Sequence, residues 1–164
     1  MIQRGDIFLW EGTNFIAWCI KRLTQSRWSH VGFCLGDGKI FDADWDGVKI
    51  RSFKPYTDHP KRLKIIRPPV SKEQRNKALD SALRHIDAAG YDYYLIWSLL
   101  NQLMRGKRQC GEVRDWSGSF VCSELIASAY FKTNAIRFVP DCFDVSLTVP
   151  DDIAKLWDKH EVYL

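Results

Sequence analysis

The 164-residue chain has no Cys-x-x-Cys pair, so neither a zinc ribbon nor a thioredoxin-type redox centre is expected. It has no charged leader followed by a long apolar run and a small-residue cleavage site. No stretch reaches transmembrane length. Internal repeats, low-complexity tracts and linkers are also missing, which predicts a single domain over residues 1–164. The basic excess is small: 24 Lys and Arg against 20 Asp and Glu leave a formal charge of +4. That allows weak contact with an anionic surface and argues against a specific nucleic-acid binder. Five cysteines, an odd number without close pairs, read as free thiols. The expected setting is reducing and cytoplasmic for the chain as synthesised, with export by another route left open.

What is present is an ordinary globular composition, 46% apolar and 27% charged, with seven Trp and nine Phe. A short strand runs from Arg4 to Trp10. Thr13 is placed to cap a helix over 14–24, whose apolar face is Phe15, Ile16, Cys19, Ile20 and Leu23. A β-rich run from Trp28 to Leu35 meets the hairpin signal Gly36-Asp37-Gly38, and the chain returns over 39–45. Asp46-Gly47 marks a second turn before an alternating strand over 48–53. A strand over 62–67 follows. Ser71 and Gln74 form a capping box for a helix carrying Ala78, Leu79, Ala82, Leu83 and Ile86. Residues 95–104 are apolar nearly all round and read as a well-covered helix, closed by a basic turn at Arg105, Lys107 and Arg108. Ser119 is placed to cap a buried helix beginning near Cys122. The tail predicts a short helix near 153–157 with Pro150 in its first turn, then an edge strand from Glu161.

The chemistry centres on Cys122. It falls in the first turn of its helix, where free N–H groups and the helix dipole favour an anion, as a nucleophilic thiolate requires. The plain alternative is a small buried side chain on a core helix. A nucleophilic cysteine needs a base and a group to orient that base. His59 and His160 read as solvated and His85 as a flanking residue. His30 instead opens a central strand, sharing a face with Gly32 and Cys34. With a three-residue loop at 36–38, Leu35 pairs with Lys39, Gly32 with Asp42 and His30 with Asp44. Asp42 is then the diagonal neighbour of His30. A two-residue loop turns both aspartates away, and the alternative for both is a solvated hairpin.

Several segments resemble the NlpC-type papain-like hydrolases. They are Gly5-Asp6-Ile7, Ser29-His30-Val31-Gly32, the Gly-Asp-Gly hairpin, Gly90-Tyr91-Asp92, and 120–125 with Cys122. The histidine precedes the cysteine, an order similar to the circularly permuted YiiX-like branch, which is related to lecithin retinol acyltransferase. The resemblance spans roughly residues 4–130, and 149–152 is similar to a tail element of that branch. It implies an α+β, permuted papain-like fold in which an antiparallel sheet packs against helices including the cysteine helix. It implies Cys122 as nucleophile, His30 as base and Asp42 at the third polar position, where the branch often carries glutamate. Tyr91 matches a tyrosine bordering the substrate site, with a packed aromatic as its alternative.

The expected function is a cysteine hydrolase or acyltransferase acting through a thioester acyl-enzyme, with no metal or cofactor called for. The substrate class is a cell-wall peptide or a lipid-like acyl group. The rival reading is a non-catalytic binding or phage-structural module on the same fold.

Overall fold

The computed structural model describes residues 1–86, 101, 105, 121–133 and 148–163. Tyr91, Ser119, Lys107, Arg108 and most of 95–104 lie outside them.

Among the described residues, six strands form one antiparallel sheet: β1 (Ile7–Trp10), β2 (His30–Gly36), β3 (Lys39–Asp44), β4 (Gly47–Ser52), β5 (Leu63–Ile66) and β6 (Glu161–Val162). Their order across the sheet is β4-β3-β2-β1-β5-β6. Five helices accompany it: α1 (Phe15–Thr24), α2 (Lys54–Thr57), α3 (Lys72–Leu83), α4 (Cys122–Lys132) and α5 (Pro150–Leu156). The architecture is therefore α+β, with helices packed on an antiparallel sheet.

Alternation along the strands sorts the apolar residues into two cores. Ile7, Leu9, Val31, Phe33, Phe41 and Ala43 face α3, α4 and α5. Phe8, Cys34, Ile40, Phe53, Leu63 and Ile65 form the opposite core, closed by Tyr56 of α2. The helix α4 is the hub of the first. Every residue from Cys122 to Tyr130 is buried, because the sheet lies on one side and α3 and α5 on others. Leu125 and Ile126 are 0% exposed, each contributing roughly 1.5–3 kcal/mol of burial. Tyr130 sits between Phe33 of the sheet and Trp157 after α5, with ring centroids 6.2 and 5.3 Å away.

Several local expectations are corrected. Asn14, not Thr13, caps α1: its Oδ1 accepts the Ala17 N–H at 2.8 Å. The apolar face of α1 is only partly covered, with Cys19, Ile20 and Leu23 half-buried and Phe15 and Ile16 exposed. The second hairpin turns at Trp45 and Asp46, one residue earlier than expected, since Asp44 pairs with Gly47. In β4 the alternation is incomplete, because Val48 is buried while Ile50 is exposed. The tail helix starts at Pro150 rather than near 153. The Ser71–Gln74 capping box forms as expected, with bonds of 3.0 and 3.1 Å.

The first hairpin reaches its expected register by a different route. Phe33 pairs with Phe41 and Cys34 with Ile40, whereas Gly36 pairs with Lys39. The tip is thus a two-residue turn at Asp37 and Gly38, both with positive φ (50° and 66°), as a type I′ turn requires. A bulge around Leu35 and Gly36 then shifts the register back by one. The result leaves Asp42 alongside Gly32.

Behind the sheet, the buried Asp6 holds Arg67 through both oxygens, each contact 2.9 Å. Gln3 also donates its N–H to Asp6 at 2.7 Å. The motif aspartate near the start of the chain is thereby a structural clamp between β1 and the end of β5.

Candidate active site

His30 is the first residue of β2 and Cys122 the first of α4, so each side chain is held at the rigid end of an element. Glu124 closes the start of α4: its carboxylate accepts the Val121 N–H at 2.9 Å. Ser123 donates its hydroxyl to Thr148 O at 2.6 Å, tying the same turn to the tail. The turn around Cys122 is therefore fixed by two side-chain bonds.

His30 Nε2 lies 2.8 Å from Asp42 Oδ2. Cys122 stands near enough to the ring to act on its proton affinity. Burial alone would drive the proton off His30. The neighbouring Cys122 and the hydrogen-bonded Asp42 outweigh burial and raise the pKa of the ring well above the usual imidazole range. Cys122 is 2% exposed and Asp42 0%.

Asp42 has a second cationic partner that the sequence reading missed. Arg51 donates its Nε–H to Asp42 Oδ1 at 2.9 Å. Arg51 also donates from Nη1 to Asp46 Oδ2 at 3.0 Å and from Nη2 to Gly47 O at 3.1 Å. Both oxygens of the buried carboxylate are thus occupied, as its burial demands. The signal for Arg51 was available: it sits two residues from Lys49, the partner of Asp42 across β3 and β4, on the same face.

Tyr56 was also missed. Its ring stacks on His30 at 6.5 Å and 18°. Burial, then the charges of Asp42 and Asp44, push the phenol pKa up and keep it a neutral donor. No helical or strand period marks Tyr56, because α2 is only four residues long.

Gly32 makes room for this arrangement. A Cβ there would stand 2.5 Å from Phe8 Cε1 and 2.8 Å from Asp42 Cβ. His59 and His160 are exposed, and His85 lies beside Lys132 at 3.5 Å, away from the cysteine.

A solved structure shares this fold. It is the crystal structure of the metalloprotein YiiX from Escherichia coli O157:H7, DUF1105, with a TM-score of 0.62. The alignment covers 83% of this chain and 68% of YiiX at 22% identity, so the likeness to YiiX is one of fold. No protein-family model matches the sequence, and no curated protein does. Among the described residues, no helix is long and apolar enough to cross a membrane.

Among the described residues, one donor set could hold a metal ion. His30, Asp42 and Asp44 each offer a ligand atom, and these lie within 4.8 Å of one another. The fit is poor at Asp42, whose oxygens already serve His30 and the Arg51 guanidinium.

Proposed function

We propose that this protein is a cysteine hydrolase or acyltransferase of the permuted papain-like, NlpC-type kind, with Cys122 as nucleophile, His30 as base and Asp42 as the orienting carboxylate. The observation that carries the reading is the His30 ring, bonded to Asp42 through Nε2 at 2.8 Å and near enough to Cys122 for that residue to act on its proton affinity. The raised proton affinity of His30 favours the imidazolium, the form that can protonate a leaving group.

The thiolate attacks the carbonyl of an amide, ester or thioester and forms a C–S bond. The Cys122 N–H, first in its helix and without an intrahelical partner, is one donor to the oxyanion. The His30 imidazolium gives its proton to the leaving group as the acyl C–N, C–O or C–S bond breaks. Neutral His30 then takes a proton from water, or from another acceptor, as that nucleophile bonds the acyl carbon; the C–S bond breaks, and thiolate and imidazolium are restored. Asp42 holds the ring orientation throughout, and Arg51 holds Asp42. Tyr91 is carried in this reading as a border of the substrate site. The substrate is a cell-wall peptide or a lipid-like acyl compound.

The test is mass spectrometry after soaking with a panel of activated acyl and peptidyl esters. An acyl adduct on Cys122, absent from Cys122→Ala, is the expected result. Esters that leave Cys122 unmodified across the panel would refute the reading.

A second reading is a metal-supported site. It is favoured by the three donors of His30, Asp42 and Asp44 and by the description of YiiX as a metalloprotein. It predicts stoichiometric metal in the purified protein and its loss in Asp44→Asn.

A further inference from the structure

Helix α1 turns an aromatic face to solvent. With roughly 3.6 residues per turn, Phe15, Trp18 and Arg22 fall on one side of it and Ile16, Ala17 and Ile20 on the other. The inner side is covered. Ala17 is buried, and Cys19, Ile20 and Leu23 pack against the larger core. Ile16, Ala17 and Ile20 also line a pocket of about 320 Å³ beside His30. The outer side has no such cover. Phe15 is 76% exposed and Trp18 58%. Their rings stack on each other, with centroids 6.0 Å apart and planes at 18°. Apolar residues scattered singly over a surface are ordinary, whereas two stacked rings on one helix face make a continuous patch.

Positive charge gathers beside the patch. Arg22 follows Trp18 by one turn, is exposed, and has no ion pair among the described residues. Arg27 and Lys21 share Glu11, at 2.8 and 3.7 Å. Together with Arg62 they hold the Glu11 carboxyl below its usual range. Arg27 also donates from Nη2 to Lys61 O, which brings Lys61 to the same corner. Arg27 and Arg62 lie over the Trp28 and Trp10 rings, contacts that leave their charge in place. This corner therefore carries the cations Lys21, Arg22, Arg27, Lys61 and Arg62 and the carboxylate Glu11. Asp44 lies on the inner side of α1, in the lining of the pocket.

Exposed rings with cations beside them suit an anionic bilayer. The rings settle at headgroup level, and the cations meet the lipid phosphates. Other occupants fit less well. A second copy of the chain would bring the same positive charge to the contact. Single-stranded nucleic acid would need ring faces on which to stack its bases, and Phe15 and Trp18 already cover one face of each other.

We propose that α1 docks on an anionic lipid bilayer, with Phe15 and Trp18 entering the interface and Arg22 on the headgroups. At ten residues α1 is too short to cross the membrane and lies along its surface. The pocket beside His30, on the inner side of the same helix, then sits about one helix diameter from the bilayer. This docking goes beyond the chemistry assigned to Cys122 and stands without it.

The full chain is mixed with sedimentable vesicles of phosphatidylcholine, with or without about 30% phosphatidylglycerol, and the bound fraction is measured after centrifugation. Binding to the anionic vesicles is expected to be at least tenfold tighter than to the neutral ones. The double variant Phe15→Ser, Trp18→Ser changes exposed positions only. It should lose at least tenfold on anionic vesicles and keep the wild-type melting temperature. Arg22→Gln should lose severalfold. A second measurement uses vesicles with brominated acyl chains, which should quench the tryptophan emission of the wild type more than that of Trp18→Phe. No binding to anionic vesicles, binding that the double variant retains, or equal quenching in Trp18→Phe would overturn the proposal. Self-association lost in the double variant, without vesicle binding, would overturn it by assigning the patch to a second copy of the chain. Tighter binding to a single-stranded oligonucleotide than to vesicles, lost in the same variant, would overturn it in favour of nucleic acid.

Discussion

Arg51 Nε stands 2.9 Å from Asp42 Oδ1, on the carboxylate whose other oxygen bonds His30. Asp42 is therefore pinned from two sides, and its direction toward the imidazole depends on a residue of the next strand. Arg51→Met removes a charge-assisted bond to a fully buried acceptor, at a cost of about 1.5–3 kcal/mol. The urea midpoint should fall accordingly, and Cys122 should be alkylated severalfold more slowly. A variant as stable and as reactive as the wild type would show that Asp42 needs no clamp.

Asp42→Asn tests the charge on the ring. The folded-state pKa of His30 lies above its ordinary value, partly through Asp42. A raised pKa contributes stability in full below about pH 6.5, and that contribution is lost as pH rises through the folded value. In Asp42→Asn the folded pKa moves down. Urea melts from pH 5 to 9 should show the wild-type advantage shrinking toward alkaline pH. The His30 Cε1–H resonance should titrate at lower pH in the variant. Unchanged titration of that resonance would contradict the assigned cause.

Gly32→Ala probes space rather than backbone freedom. The new methyl group would press on Phe8 and on Asp42 Cβ. Overpacking of this kind costs about 1–3 kcal/mol. The expected outcome is a lowered melting temperature together with slower Cys122 alkylation, because the strained neighbour is the carboxylate bonded to His30. Loss of stability with full reactivity would place the strain on Phe8 alone.

These residues also show what the sequence made legible. Strand alternation put His30 and Gly32 on one face, and the structure adds Asp42 beside them. The argument for Asp42 relied on a three-residue loop; the chain instead uses a type I′ turn and a bulge, which together give the same register. Loop length alone cannot reveal such a compensation, because a bulge depends on how the whole strand packs. Arg51 was readable from alternation across the second hairpin, since moving that turn by one residue shifts the pairing by two and keeps the face. Tyr56 was not readable: a four-residue helix has no period, and its position is set by the Phe8, Trp10 and Phe53 rings it packs on. Asn14 displaced Thr13 as cap because the chain enters α1 one residue later than the apolar pattern suggested.

The central claim is that contact with His30 turns Cys122 into a nucleophile. Iodoacetamide labelling near neutral pH, mapped by peptide, tests it most directly. Cys19 is half-buried, and Cys34 is a deeply buried control whose thiol pKa is pushed up by burial and by Asp6. Cys122 should label first, at least tenfold faster than Cys19, and His30→Ala should bring it down to the Cys19 rate. A Cys122 that labels no faster than Cys19, or one indifferent to the loss of His30, would contradict the account.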